Sequence, residues 1–232
     1  MIPRGFNLKT LRGLIFDLDG TLLDTAPGLA DALNRALADA GRPPLPIAAV
    51  KPMIGNGVDK LIERALGATG GMLSDSARAE IAERYRALMR AAAPPPAFAG
   101  AREALGDLNE RGVRLAVCTN KPEAAALDVL DQAGLMPFLD AVVGADEAPL
   151  KPDPAMVYRA LAVLQAPADA AALAGDSEVD VATARAASLP VVLLAHGYVR
   201  GPLADAGADA VAESFAALPA ALERLGFALP IL

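Results

Sequence analysis

Short apolar runs alternate with longer amphipathic stretches over most of this chain, and the alternation predicts its fold. Runs this short are typical of buried β-strands. They lie at Gly13–Phe16, Arg114–Cys118, Ala141–Val143, Ala171–Ala174, Val191–Leu194 and Ala210–Val211, with helical patterns at Ala101–Arg111, Pro122–Ala133 and Pro154–Leu164. The run at 171–174 is nearly all alanine, which is a poor strand former, so only its place in the series supports the prediction of a strand there. Strands that alternate with helices predict an α/β fold with a parallel sheet.

The segment 20–112 carries helical patterns and no strand pattern. Leucines four residues apart predict a first helix that begins after its expected N-cap, Thr25. Further helical patterns follow near Val58 and at about 75–90, and a triple proline then ends the helical region. We therefore expect an all-α insertion at residues 24–97 within a parallel-sheet core formed by residues 1–23 and 98–232.

Composition and charge narrow the classes of partner. The chain is 54% hydrophobic and 21% charged, which is typical of a globular protein, and its formal net charge is -7. Nucleic acids and anionic membranes attract positive surfaces, so we expect neither as a partner. An anionic substrate therefore needs a local positive site. The single cysteine, Cys118, excludes an intramolecular disulfide. This, with no apolar stretch long enough for a signal peptide or a membrane span, predicts a cytoplasmic protein.

Polar residues stand at or beyond the carboxyl ends of four predicted strands. Asp17 and Asp19 follow the first strand and, being two residues apart in extended chain, point to the same face. The others are Thr119, Asn120, Lys121, Lys151, Asp176 and Asp180. In an open parallel sheet these strand ends line one edge, where ligands bind. Four carboxylates against two lysines leave a deficit of positive charge, and an all-oxygen donor set favours Mg²⁺ over Zn²⁺.

Three other features have ordinary structural interpretations. Cys118 is expected to be a small buried core residue. His196, the only histidine, follows a predicted strand at the same edge, but the chemistry proposed below does not need it. The segment Gly55-Asn56-Gly57 is either a flexible turn at a helix start or a contact for substrate, and the sequence leaves both open.

Taken together, these residues resemble the four motifs of the haloacid dehalogenase superfamily phosphatases over nearly the whole chain. The matching motifs are Asp17-x-Asp19-Gly20-Thr21, Thr119-Asn120, Lys151-Pro152 and Gly175-Asp176-x-x-x-Asp180. Within the superfamily the chain is most similar to phosphoglycolate phosphatases, through Asp17–Pro27, Ile54–Leu66, Thr119–Lys121 and Leu150–Pro154. One departure is Glu178, which stands where close relatives often carry a basic residue and adds negative charge near the expected metal.

The resemblance implies a Rossmann-like core with the all-α insertion, residues 24–97, as a helical cap domain. It also implies a role for each motif residue. Asp17 is implied to attack phosphorus and form an aspartyl-phosphate, and Asp19 to act as general acid and then as general base. Mg²⁺ is implied to be held by Asp17, the backbone carbonyl of Asp19, Asp176 and Asp180, the last partly through water. Lys151 offsets the negative charge, whereas Thr119, Asn120, Gly20 and neighbouring backbone N–H groups bind the phosphoryl oxygens.

The cap residues predict a small anionic phosphomonoester as substrate. The Gly55-Asn56-Gly57 loop precedes a helix whose first N–H groups lack partners, so it is suited to a carboxylate, with Lys60 or Arg64 as possible helpers. This arrangement favours 2-phosphoglycolate.

Other functions remain as alternatives. They are a phosphatase or phosphomutase for another small metabolite such as a sugar phosphate, a phosphonate hydrolase that uses Lys51 or Lys60, and a non-catalytic anion-binding module. Asp19 argues against a dehalogenase, which does not need it. The oligomeric state is not predicted.

Overall fold

The computed structural model describes residues 8–231, so residues 1–7 and 232 of the predicted core lie outside the described part. Its centre is a six-stranded parallel sheet with the strand order β4-β3-β2-β5-β6-β7. The strands are β1 Lys9–Thr10, β2 Gly13–Phe16, β3 Arg114–Cys118, β4 Ala141–Val143, β5 Ala171–Gly175, β6 Val191–Leu194, β7 Ala210–Ala212 and β8 Phe227–Ala228. The α/β prediction is confirmed, including the alanine-rich strand β5.

Nine α-helices accompany these strands in the described residues. They are α1 Ala26–Asp39, α2 Ile47–Val50, α3 Val58–Ala68, α4 Asp75–Arg90, α5 Ala101–Glu110, α6 Glu123–Gln132, α7 Ala155–Leu164, α8 Glu178–Ala186 and α9 Leu218–Arg224. Helices α2, α8 and α9 were not predicted from the sequence. Nor were the two-residue strands β1 and β8, which pair with each other in parallel. A two-residue strand is too short to produce a hydrophobic pattern.

Both faces of the large sheet are buried, as a parallel sheet requires. Along β2, Leu14 and Phe16 belong to one apolar cluster, whereas Ile15 belongs to the cluster on the opposite face. All three side chains are fully buried. The central strand is therefore fixed in register, so the residues that follow it leave the sheet at a defined place.

Helices α1 to α4 form the inserted segment and pack around an apolar cluster that includes Leu33, Ile62 and Tyr85. Tyr198 of the core also belongs to this cluster. The chain enters and leaves this segment side by side, because Leu23 forms an antiparallel bridge with Ala97. No strand occurs within it. We therefore propose residues 24–97 as a cap domain with its two connections at this bridge.

The prediction that Thr25 caps α1 is right in position but wrong for its side chain. Thr25 precedes the helix, but its backbone is already helical and its side chain accepts no capping hydrogen bond. Its buried hydroxyl has no partner among the described residues. The hydroxyl of Tyr198, which lies far along the chain, accepts the N–H of Ala26 at 2.9 Å and so caps the helix instead.

No helix within residues 8–231 is long and apolar enough to cross a membrane.

Candidate active site

Asp17 and Asp176 lie at the carboxyl ends of two neighbouring strands, β2 and β5. The Asp17 N–H continues the ladder between these strands by donating to the Ala174 carbonyl at 2.9 Å. From β2 the chain proceeds to β3 and β4 on one side, and later to β6 and β7 on the other. The strand order therefore reverses here, and such a crevice is where open α/β sheets bind ligands.

Lys151 connects the carboxylates at this point. Its Nζ lies 2.6 Å from Asp17 Oδ1 and 2.7 Å from Asp180 Oδ1. The lysine is 4% exposed, and the two aspartates are 8% and 0% exposed. A buried ammonium needs such partners, because burial alone is costly for a charge. Burial alone would lower the pKa of Lys151, but Asp17 and Asp180 outweigh it and raise the pKa.

Asp180 is held by protein groups at both carboxylate oxygens. Oδ1 accepts from Lys151, and Oδ2 accepts from the backbone N–H groups of Asp176 and Ser177 and from the Ser177 hydroxyl. Ser177 and Asp180 form a capping box at the start of α8. The Ser-x-x-Asp spacing is a sequence signal for that helix start. Asp180 thus fixes both Lys151 and the loop after β5.

Asp176 is enclosed by the loop that follows β6. Its Oδ2 accepts the N–H of Tyr198 at 2.6 Å. Gly20 and Gly197 lie so close that a Cβ at either position would overlap the Asp176 side chain, and Gly20 also has a φ of +92°. Glycine at these positions lets the two loops close around one carboxylate.

The buried carboxylates have strongly perturbed acidities. Burial, reinforced by the charge of Asp180 and opposed by Lys151, raises the pKa of Asp17 to about 7. Burial raises the pKa of Asp176 well above its usual range, and the charges of Asp180 and Asp17 add to the effect. A single lysine therefore does not compensate three buried carboxylates.

The donor set fits a divalent metal. One oxygen each of Asp17, Asp176 and Asp180 lie within 4.8 Å of one another. Among residues 8–231, no group donates a hydrogen bond to Asp17 Oδ2 or Asp176 Oδ1. Two inward-facing carboxylate oxygens without protein donors are suited to a hard cation. Asp17 and Asp176 are the more available ligands, since both oxygens of Asp180 are already occupied.

Asp19 lies apart from this cluster and pairs with Lys121. The Lys121 Nζ is 3.0 Å from Oδ1 and 2.9 Å from Oδ2 of Asp19. The two side chains are only 12% and 15% exposed. The carboxylate that the resemblance implies as general acid and base is thus held at both oxygens by a lysine from the loop after β3.

Thr119 and Asn120 follow β3 and have different surroundings. Thr119 is buried, and its Oγ1 accepts the Lys121 N–H at 3.2 Å. The Asn120 side-chain amide accepts the Lys151 N–H at 2.8 Å and donates to the Gly55 carbonyl, also at 2.8 Å. The Asn120 side chain therefore connects the core with the cap loop.

The cap loop, residues 52–57, lies against the core through several contacts. Gly57 stands at the start of α3 with a φ of 82°. The Asn56 Oδ1 accepts from the guanidinium groups of both Arg64 and Arg200. The structure thus brings Gly55, Asn56 and Gly57 to the edge that carries Asn120 and Lys151.

Other candidate residues lie elsewhere or have structural partners. Lys60 forms an exposed ion pair with Glu63, and the ammonium of Lys51 lies 5.4 Å from the centre of the Tyr198 ring. The His196 ring packs 4.0 Å from the Phe98 ring, measured between centroids. Cys118 is buried as expected, and burial raises the pKa of its thiol to about 12.

Two residues that shape this site, Tyr198 and Arg200, were not predicted from the sequence. Lys121 was predicted to lie at this edge from its position after β3, but not to pair with Asp19. Tyr198 and Arg200 come after β6, where the sequence shows no motif that points to the cap. Their contacts join residues more than 140 positions apart, and such pairs produce no local pattern.

Comparison with known proteins agrees with this geometry. A family model for haloacid dehalogenase-like hydrolases matches residues 11–188. The chain is 45% identical to the phosphoglycolate phosphatase of Rhodospirillum rubrum, covering 94% of this chain and 92% of that protein. It is 42% identical to the phosphoglycolate phosphatase of Caulobacter vibrioides, over 90% of this chain and 89% of the relative.

A solved structure has the same fold. It is that of a predicted phosphoglycolate phosphatase from Haemophilus somnus, which has a TM-score of 0.84 and 28% sequence identity and covers 90% of this chain and 96% of its own. The chain thus belongs to the haloacid dehalogenase-like hydrolase family.

Proposed function

We propose that this protein is a Mg²⁺-dependent phosphomonoester hydrolase that acts through an aspartyl-phosphate, with 2-phosphoglycolate as its substrate. The observation that carries the reaction class is the buried group of Asp17, Asp176, Asp180 and Lys151 at the strand-order reversal. An anionic nucleophile and an anionic substrate approach each other only where fixed positive charge offsets their repulsion. Lys151 supplies one such charge.

Asp17 is the proposed nucleophile. The Lys151 ammonium lies 2.6 Å from its Oδ1 and holds the side chain in place, so that one carboxylate oxygen can bind the metal while the other attacks phosphorus. Attack forms a bond from that Asp17 oxygen to phosphorus and breaks the bond from phosphorus to the substrate's alkoxide oxygen. Hydrolysis of the acyl phosphate then releases inorganic phosphate and restores the carboxylate, so one difficult displacement becomes two easier ones.

Asp19 is the proposed proton carrier. It gives a proton to the departing alkoxide in the first step and takes one from the attacking water in the second, so the proton count closes over a turnover. Lys121 keeps the Asp19 carboxylate in a fixed position beside the site. Asp19 itself forms no bond to phosphorus.

The remaining residues of the core bind and orient. The Thr119 hydroxyl and backbone N–H groups near Gly20 and Asn120 are the proposed donors to the phosphoryl oxygens. Asp17, Asp176 and the backbone carbonyl of Asp19 are the proposed metal ligands, with Asp180 acting on the metal at most through water because Lys151 and the α8 cap occupy its oxygens. A bound Mg²⁺ supplies charge neutralisation to the transferring phosphoryl group.

The substrate assignment rests on two observations. Two relatives at more than 40% identity are named phosphoglycolate phosphatase. In addition, the Asn120 side chain donates to the Gly55 carbonyl at 2.8 Å, a contact that supports a position of the cap loop and the start of α3 next to the proposed phosphate site. The unpaired N–H groups of that helix start favour a carboxylate a few bonds from the phosphate.

We also propose a cytoplasmic location, because the one cysteine, Cys118, is a buried free thiol that suits a reducing compartment.

The test is a hydrolysis screen that measures phosphate release from 2-phosphoglycolate, hexose phosphates and p-nitrophenyl phosphate, with Mg²⁺ and with chelator. We expect the highest kcat/KM for 2-phosphoglycolate and no turnover in chelator. A preference for a hexose phosphate would assign another substrate, and recovery of an isomeric sugar phosphate instead of free phosphate would indicate a mutase. Full activity in chelator would contradict the metal site.

A further inference from the structure

Arg200 joins the cap loop to the core. It lies in the loop after β6, and its backbone N–H donates to the Glu178 carboxylate at 2.9 Å, which anchors it next to α8. Its guanidinium reaches across to residues 52–57. Nε donates to the Pro52 carbonyl at 2.7 Å, and Nη2 donates to Asn56 Oδ1 at 2.5 Å. Nη2 also lies 3.5 Å from the Ile54 carbonyl.

A second arginine holds the same loop from the cap side. Arg64, on α3, donates to the Met53 carbonyl at 2.8 Å and to Asn56 Oδ1 at 2.7 Å. Because Arg64 and the loop both belong to the inserted segment, these bonds persist if that segment moves as a unit. The bonds of Arg200 cross from residues 98–232 to residues 24–97, so movement of the cap would break them.

We propose that Arg200 is a positioning residue that fixes the cap loop over the core site and thereby places the start of α3 against the substrate. The Asn56 side chain is the link, since its Oδ1 accepts from both guanidinium groups. The loop also accepts a hydrogen bond from the core, donated by the Asn120 side chain to the Gly55 carbonyl. In addition, Gly57 lies near the Leu150 side chain. Arg200 is exposed, and its hydrogen bonds go to Glu178 and to the cap loop and not to Asp17, Asp176, Asp180 or Lys151. It therefore acts through the loop.

The inference rests on the proposed function only for its choice of substrate. A substrate with a carboxylate depends on the position of the cap loop, whereas p-nitrophenyl phosphate has an activated leaving group and needs little from the cap. Loss of Arg200 is therefore expected to affect the first substrate and spare the second. A lysine at this position can reach one acceptor but lacks the planar pair of donors that spans two of them.

The experiment compares Arg200→Gln and Arg200→Lys with the matched control Arg35→Gln. That control removes an exposed arginine whose only ion pair within residues 8–231 is with Asp31 on its own helix. In Arg200→Gln we expect kcat/KM on 2-phosphoglycolate to fall about tenfold, mainly through KM, as for loss of charged hydrogen bonds. The value for p-nitrophenyl phosphate should stay within about twofold. Arg200→Lys should recover part of the loss, and Arg35→Gln should resemble the wild type on both substrates.

Hydrogen exchange provides a readout that does not depend on activity. Amides of residues 53–58 should exchange faster in Arg200→Gln than in Arg35→Gln, while β2 and β5 remain protected. Unchanged exchange in this segment would overturn the proposal, as would equal losses on both substrates, which would indicate damage to the core site. If the wild type prefers another phosphomonoester but the exchange still increases, the substrate assignment fails and the positioning role of Arg200 stands.

Discussion

Lys121 contacts both carboxylate oxygens of Asp19, at 3.0 and 2.9 Å, in surroundings where each side chain is less than one-sixth exposed. Salt bridges at the surface contribute little, but a pair that is largely shielded from water has a defined geometry. Asp19 is the proposed proton carrier, so its orientation is expected to affect the rate of proton transfer. The lysine is therefore expected to control this step without touching phosphorus.

We predict that Lys121→Met lowers kcat on an alkyl phosphate such as 2-phosphoglycolate by about 10²-fold, the scale of one proton-transfer contribution. The physical reason is that the Asp19 carboxylate loses the group that fixes both oxygens. The loss should be much smaller on p-nitrophenyl phosphate, because nitrophenolate departs without a proton. Steady-state kinetics on both substrates measures the difference, and Lys121→Arg should restore part of it. An equal loss on the two substrates would remove Lys121 from this role.

Asp17→Asn tests the nucleophile. An amide keeps the shape of the carboxylate but cannot form the acyl phosphate, so we predict that turnover falls by about 10³-fold or more. Asp169→Asn is a suitable control, because Asp169 is exposed and, in the described part of the chain, forms its one ion pair with Lys9 at the surface. Mass spectrometry must show that the variant has not deamidated to aspartate. Turnover within about tenfold of the wild type would rule out Asp17 as the nucleophile.

Much of the site was predictable because its parts follow from local patterns. Asp17 and Asp176 each come directly after an apolar run, and parallel pairing of those runs brings the two carboxylates together without further information. Even the alanine-rich strand β5 could be placed, since the alternation leaves only that position for it.

The pairings between loops were not predictable. Nothing in the sequence near Asp19 indicates that it pairs with Lys121, because either lysine at this edge could have taken that partner. The role of Tyr198 depends on contacts with Asp24 and Ala26 that are more than 170 positions away. Such contacts depend on how the loops pack against one another, and the hydrophobic pattern of the sequence does not predict loop packing.

The acidity of the buried carboxylates predicts a pH-dependent stability for the metal-free protein. Burial raises the pKa of Asp17 to about 7, whereas in the unfolded chain it is about 3.9. Asp17 thus binds its proton more tightly in the folded protein than in the unfolded chain. The free energy of unfolding therefore falls as the pH rises from about 4 through about 7. Asp176 shifts in the same direction. We therefore expect the Tm in chelator to fall between about pH 5 and about pH 8.

Mg²⁺ should reverse this trend, because it binds the deprotonated carboxylates. The stabilisation by Mg²⁺ is expected to be small near pH 5 and to grow towards pH 8. Thermal unfolding at several pH values, with Mg²⁺ or chelator, measures both effects. Asp17→Asn is the control, and its metal-free Tm should depend less on pH than that of the wild type. A metal-free Tm that rises between these pH values in the wild type but not in the control would contradict the prediction.

Gly57→Val tests the cap loop at the start of α3. Gly57 has φ 82° and ψ 170°, a region that is essentially confined to glycine and costs other residues about 1 to 3 kcal/mol. Space is not the obstacle, since a Cβ there would lie 3.6 Å from Leu150 Cδ1, an ordinary contact. The variant is therefore expected to shift the backbone that precedes α3 and lower kcat/KM on 2-phosphoglycolate by about tenfold or more, with a smaller loss on p-nitrophenyl phosphate.

Gly67→Val is the matched control for that substitution. Gly67 lies within the same helix α3, has no positive φ, and a Cβ there would meet open space. Gly67→Val should therefore leave the kinetics on both substrates close to wild type, since valine is no poorer a helix former than the glycine it replaces. If Gly57→Val and Gly67→Val affect 2-phosphoglycolate hydrolysis equally, the effect comes from the stability of the cap. A loss confined to Gly57→Val shows that the conformation of the loop determines how well the carboxylate substrate is used.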